Sequence, residues 1–111
     1  MVDVLSSKHN AKVLVNSSDA MSSAHAINRS VFAGLKATFD NKSNLYTIVL
    51  EDDIVVAKDI LCYFEFIMKT YSEEKQFRGA NAFSNFLGDD SLANKFLRLN
   101  FGLGWGWAIN R

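Results

Sequence analysis

Apolar residues along the chain recur with two spacings, and the switch between them divides it into strand and helix segments. Ala11 to Val15 (AKVLV) is a short β-type run, closed by the turn chemistry of Asn16-Ser17-Ser18-Asp19. Ser22 or Ser23 then caps a helix whose face is Ala24, Ile27, Val31, Leu35 and Phe39, three or four residues apart. Asp40 to Asn44 is a polar loop, and Tyr46-Thr47-Ile48-Val49-Leu50 follows as a buried strand of β-branched and aromatic residues. Strand, helix, strand with a connecting helix of this length predicts a parallel βαβ unit.

Beyond that strand, Asp59 is placed to cap a second helix with Ile60, Leu61, Phe64, Ile67, Met68 and Tyr71 on its apolar face. Ser72 to Lys75 is a charged linker. Phe77 to Phe83 (FRGANAF) predicts a third strand, weakened by Gly79. Asn85 to Asn94 is polar, with Asp89 and Asp90 as a solvated loop. Phe96, Leu97, Leu99 and Phe101 form a strand-like segment before a cluster of glycine and tryptophan. The order β-α-β-α-β predicts an α/β domain with a mainly parallel sheet and flanking helices. No internal repeat or interdomain linker interrupts it.

Composition narrows the partners. The chain has 111 residues, of which 49% are hydrophobic and 13% aromatic, enough for a core in a single domain. Twelve Lys and Arg balance twelve Asp and Glu, so no global field recruits nucleic acid or an anionic membrane. No run is long enough for a membrane span and no signal-peptide layout opens the chain, which predicts a soluble, cytoplasmic protein. The single Cys62, inside a helical apolar pattern, is expected to be a buried free thiol. Proline is absent, and the chain stops at Trp105-Gly106-Trp107-Ala108-Ile109-Asn110-Arg111, an apolar segment rather than a polar tail. Both suggest a piece of a longer protein.

The chemistry concentrates at Glu51, Asp52 and Asp53, three acids set between the Tyr46 strand and the apolar Ile54-Val55-Val56-Ala57. Adjacent carboxylates repel and are costly to desolvate, yet are tolerable at the open end of a strand if a cation sits among them. Ligands of open α/β sheets bind outside the carboxyl ends of the strands. A hard divalent ion such as Mg²⁺ or Mn²⁺ would take these oxygens. A solvated loop or a helix-capping cluster is the alternative.

The segment IVLEDDIVVAKDILCYF resembles the metal-binding segment of GT-A-fold glycosyltransferases, in the Glu-Asp-Asp variant of the N-acetylglucosaminyltransferase I type and related bacterial sugar transferases. In that group a helix opening with Asp and aromatics follows the acids, and a Gly-Leu-Gly-Trp-like turn comes later. Here Gly102-Leu103-Gly104-Trp105-Gly106-Trp107 takes that place. The resemblance runs from about Lys12 to Arg111 and implies a partial, Rossmann-like GT-A domain. It implies a sugar moved from a nucleotide-sugar donor to a glycan or other hydroxyl acceptor, with Mn²⁺ or Mg²⁺.

By that resemblance Asp53 would bind the metal, Glu51 its water shell or the nucleotide, and Asp52 the ribose or donor sugar. Ser17, Asp19, His25, Asn28 and Arg29 would lie near the nucleotide, and Asn81 could face the donor. Gly102 to Trp107 would line the donor and acceptor pocket. Glycine admits close backbone approach and indole stacks on sugars, although a packed aromatic pair with turn glycines has the same composition. No residue is assignable as catalytic base. Two other readings are a non-catalytic metal- or nucleotide-binding remnant and a phospho-receiver-like signalling domain. The latter carries its acids on a first strand, whereas a strand and a helix precede them here.

Overall fold

In the computed structural model, which describes residues 22–83, 91, 95, 98 and 104–111, the first described element is a helix, α1 (Ser23–Phe39). It belongs to one of two compact units, Met1–Lys42 and Ser43–Arg111. Ser22 stands at the N-cap position with extended backbone, and its carbonyl accepts from His25 N at 2.9 Å, but its side chain makes no cap bond. The helix ends at Asp40, whose carboxylate pairs with Lys36 one turn earlier, 3.2 Å away. A cation in the last turn also suits the helix dipole. Val31, Leu35 and Phe39 of the expected apolar face are half-buried, Ala24 and Ile27 are exposed, and no residue of α1 is fully buried.

The second unit holds β1 (Tyr46–Val49), α2 (Ile60–Thr70), β2 (Gly79–Asn81) and β3 (Trp107–Asn110). Its three strands make one sheet in the order β1-β3-β2, and β3 is antiparallel to both neighbours. Ile48 and Ala80 both face Ala108 across the ladders, and Val49 and Asn81 both face Trp107. Flanking bonds extend the pairing: Arg111 N donates to Leu45 O at 3.0 Å, Asn110 N to Arg78 O at 2.9 Å, and Ala82 N to Gly106 O at 3.0 Å.

This overturns the expected mainly parallel, Rossmann-like sheet. β1 and β2 do run in the same direction on either side of α2, as a βαβ unit requires. They do not touch, because Trp107–Asn110 lies between them and runs the other way. The Gly/Trp segment therefore supplies a turn and a strand. Trp107 and Ile109 suit a pleated surface and Ala108 suits a crowded one. The strand expected at Ala11 to Val15, the loop at Asp89 and Asp90 and the segment from Phe96 to Phe101 lie outside the described residues.

Packing explains why small residues occupy the centre of the sheet. Phe64 and Met68 of α2 bury against Ala108, with Tyr46, Ile48, Ile60, Tyr63, Phe77 and Ala80 around them. A bulkier residue opposite Ala80 would hold the Phe64 ring off the sheet. Burial of such a ring is worth about 1.5–3 kcal/mol. Gly79 meets the same demand: a Cβ there would stand 2.1 Å from the Ala108 carbonyl oxygen. Read from sequence as a weakness of its strand, this glycine is what permits β2 and β3 to approach. Tyr63 locks helix to sheet, its hydroxyl donating to Asn81 O at 2.7 Å.

The buried stripe of α2 is Phe64, Ile67 and Met68, spaced by three and four as one helical face requires. Cys62, two residues before Phe64, points away from that stripe and is exposed, not buried as expected. Leu61, in the first turn, is exposed although it shares the helical face of Phe64 and Met68, against its expected burial on the apolar face. Asp59 occupies the N-cap position, but its side chain makes no cap bond; its carbonyl accepts from Tyr63 N at 2.9 Å. After the helix, Arg98 pairs with Glu74 at 2.8 Å and lies over the Tyr71 ring, 5.5 Å from its centre.

Candidate functional site

β1 delivers the acids. The strand stops at Val49, Leu50 is already exposed, and Asp52 and Asp53 make a turn. All three carboxylates, Glu51, Asp52 and Asp53, are exposed. The strand itself is half-buried along its length, where full burial was expected. Ile54-Val55-Val56-Ala57 does not continue into a strand or helix and leads irregularly to α2.

Trp105 and Gly106 arrive from the other side, just ahead of β3. Trp105 has φ 53° and Gly106 φ 75°, two successive left-handed residues that turn the chain sharply into the strand. Gly106 fits this backbone by having no Cβ. Trp105 does not, and a non-glycine residue held there costs about 1–2 kcal/mol. Such strain clusters at ligand clamps and active sites. The half-exposed indole meets Phe83 edge to face, 4.8 Å between centres at 61°.

Between these two segments lies a surface hollow of about 540 Å³. Asp53 and Leu50 border it on the β1 side, Trp105 and Gly106 on the β3 side, and Phe83 at the exit of β2. Ile54 to Ala57 and Ile60 complete the wall. The hollow thus unites one of the three acids with part of the Gly/Trp turn. It is lined mostly by apolar groups, and Asp53 is the charged residue in its described lining.

Asn81 serves the hollow indirectly. Its Nδ2 donates to Phe83 O and its Oδ1 accepts from Phe83 N, each at 3.3 Å. The amide fixes the backbone that carries the Phe83 ring. Gly104 is exposed, and Trp107 is a half-buried residue of β3, not part of the lining. His25, Asn28 and Arg29 are exposed positions on α1 in the other compact unit. Ser17, Asp19, Gly102 and Leu103 lie outside the described residues.

Among the described residues no group of three or more His, Cys, Asp or Glu side chains gathers to hold a metal ion. The donor set, Asp53 on the wall with Glu51 two residues back, fits an ion that brings other ligands with it. Mg²⁺ and its relatives are commonly held by one or two carboxylates plus substrate phosphates and waters.

Phe83 and the run Ile54 to Ala57 were not singled out by sequence reasoning. The run carried a signal: four apolar residues directly after three acids, outside the strand and before the helix cap. Such residues either pack elsewhere or wall a site. No family model, no curated protein and no solved structure matches the chain. Among the described residues no helix is long and apolar enough to cross a membrane.

Proposed function

We propose that the hollow at the end of β1 is the donor-side site of a metal-dependent glycosyl transfer, taking a nucleoside diphosphate sugar and serving a hydroxyl acceptor. The observation that carries this is the meeting of Asp53 with Trp105 and Gly106 around one hollow. The resemblance implied a metal-binding carboxylate and a sugar-facing Gly/Trp turn, and they are remote in sequence. The β1–β3 ladder, with Val49 opposite Trp107, brings them to one side of the sheet end. The claim concerns the chemistry of the site and requires no parallel sheet.

In this reading Asp53 would hold the divalent ion that arrives with the diphosphate, Glu51 its water shell or the nucleotide, and Asp52 the ribose or donor sugar. Bound there, the ion neutralises charge developing on the departing diphosphate. Trp105 presents an indole face to the sugar, and Gly106 lets the backbone approach it.

Calorimetry provides the test. Uridine and guanosine diphosphates are titrated with and without Mn²⁺, and Mn²⁺ is titrated alone. Mn²⁺-dependent binding of a diphosphate, weakened about tenfold or more in Asp53→Ala, is the expected result. Equal binding without metal, or an unaffected Asp53→Ala, sinks the proposal. A non-catalytic binding module is the second reading, favoured because no residue besides Asp53 in the described lining is equipped to take a proton. Metal-dependent binding with no transfer or hydrolysis of a donor sugar would select it.

A further inference from the structure

The donor reading accounts for Asp53, Trp105 and Gly106 and leaves the larger part of the hollow unused. Leu50, Ile54, Val55, Val56 and Phe83 form a nearly continuous apolar wall. Val55 is fully exposed, and Leu50, Val56 and Phe83 are each more than 40% exposed. None of these side chains is part of the core around Phe64 and Met68. Neither a diphosphate nor a sugar hydroxyl is recognised by aliphatic groups, and solvating this wall costs free energy in proportion to its area.

We propose that the hollow takes an amphiphilic acceptor: an alkyl body along Leu50, Ile54, Val55 and Val56, and a neutral, hydroxylated head at the end of that wall nearest Asp53 and Trp105, beside the donor. The head group rests on the glycosyl-transfer reading; the apolar body does not. Three features select this occupant. The volume, about 540 Å³, is that of a site for one small molecule, where a few polar groups orient an otherwise apolar ligand. The half-exposed indole of Trp105 is amphipathic, suited to the junction between a sugar ring and a hydrocarbon chain. The third feature is charge. Glu51, Asp52 and Asp53 are exposed in succession at the β1 side, so without a bound cation an anionic head is repelled, while a neutral one donates hydrogen bonds from its hydroxyls to a carboxylate.

The experiment uses the full chain and n-hexyl, n-heptyl and n-octyl β-D-glucosides below their micelle thresholds, followed by calorimetry and tryptophan fluorescence. Glucose and n-octyl sulfate are the comparators. Affinity is expected to rise with chain length, by up to about fourfold per methylene where burial is complete. The octyl glucoside should bind more tightly than octyl sulfate, and glucose alone should bind weakly. Val55→Ser with Val56→Ser should flatten the chain-length series without altering the far-ultraviolet spectrum, since both residues lie outside the helices and strands. An affinity independent of chain length overturns the inference. So does tighter binding of octyl sulfate, an unchanged double variant, or binding to phosphatidylcholine vesicles in place of monomeric glucosides. The Mn²⁺ and diphosphate titrations on the same protein separate the two claims. Their failure beside an intact chain-length series refutes the transfer reading and leaves the apolar site standing; the reverse result refutes the amphiphile alone.

Discussion

Gly79→Ala should be the most damaging single-methyl change available in the described structure. The new Cβ would lie 2.1 Å from Ala108 O, about 0.9 Å inside the 3.0 Å that real Cβ atoms respect, with Ala108 C at 3.2 Å and Ile109 Cα at 3.3 Å. All three are backbone atoms of the central strand, so no side chain can swing aside. The strands must separate, which loosens the ladder flanked by Asn110 N to Arg78 O and Ala82 N to Gly106 O. Overpacking of this kind costs about 1–3 kcal/mol, and weakening one ladder bond adds about 1 kcal/mol. A loss of about 3 kcal/mol is therefore expected, a large share of the roughly 5–15 kcal/mol of a small domain. Urea unfolding followed by circular dichroism measures it. Gly34→Ala is the control, because nothing lies within 4 Å of a Cβ there and helical Gly-to-Ala changes stabilise by about 0.5–1 kcal/mol. A Gly79→Ala midpoint equal to or above that of the parent would refute the close approach of β2 to β3.

Gly106→Ala meets only ordinary contacts, Ile54 Cδ1 at 3.5 Å and Leu50 Cδ2 at 3.7 Å, so its cost comes from φ 75° alone, about 1–2 kcal/mol. Trp105→Gly relieves the same strain while losing the Phe83 contact, so unfolding should shift little while ligand binding in the hollow falls; a large stability loss would contradict this. Tyr63 titrates in alkali. Burial raises its pKa, so its contribution is complete below the unfolded pKa and is lost as pH rises through the folded one, above about 10. Tyr63→Phe should abolish that part of the alkaline loss and cost about 1 kcal/mol at neutral pH through the lost bond to Asn81 O; an unchanged alkaline profile would exclude the assignment. Thr47 Oγ1 is buried with no hydrogen-bond partner among the described residues, so Thr47→Val should raise the unfolding free energy by about 1 kcal/mol or more, read as a higher urea midpoint.

The parts of the fold legible in sequence were those whose signals are local. Both described helices were read from three- and four-residue spacing, and β1 and β2 from short β-type runs ending at turn residues. Strand direction was not legible, because it depended on a partner far along the chain. Nothing in Ile48 says that its neighbour will be Ala108 running the opposite way. A Gly/Trp cluster also hides a four-residue strand, since its composition suggests a turn first. Cys62 shows the same limit at finer scale. Its apolar neighbours suggested burial, but the helix phase set by Phe64, Ile67 and Met68 turned it outward. At the hollow, Asp53 and the Gly/Trp turn had been singled out through the resemblance. Phe83 and the Ile54 to Ala57 wall were not, because lining a hollow needs proximity and no special chemistry.

The position of β3 has a consequence for synthesis on the ribosome. β1 and β2 are separated by the width of a strand that is translated after both of them. Until Trp107–Asn110 has cleared the exit tunnel, neither earlier strand has its ladder partner, and Phe64 and Met68 lack Ala108. Until then the nascent chain carries unpaired strand edges and exposed aromatic surface, the condition in which chaperones are recruited and neighbouring chains mispair. Slowing translation should not help this unit assemble. Its sheet closes in one event, when the central strand arrives.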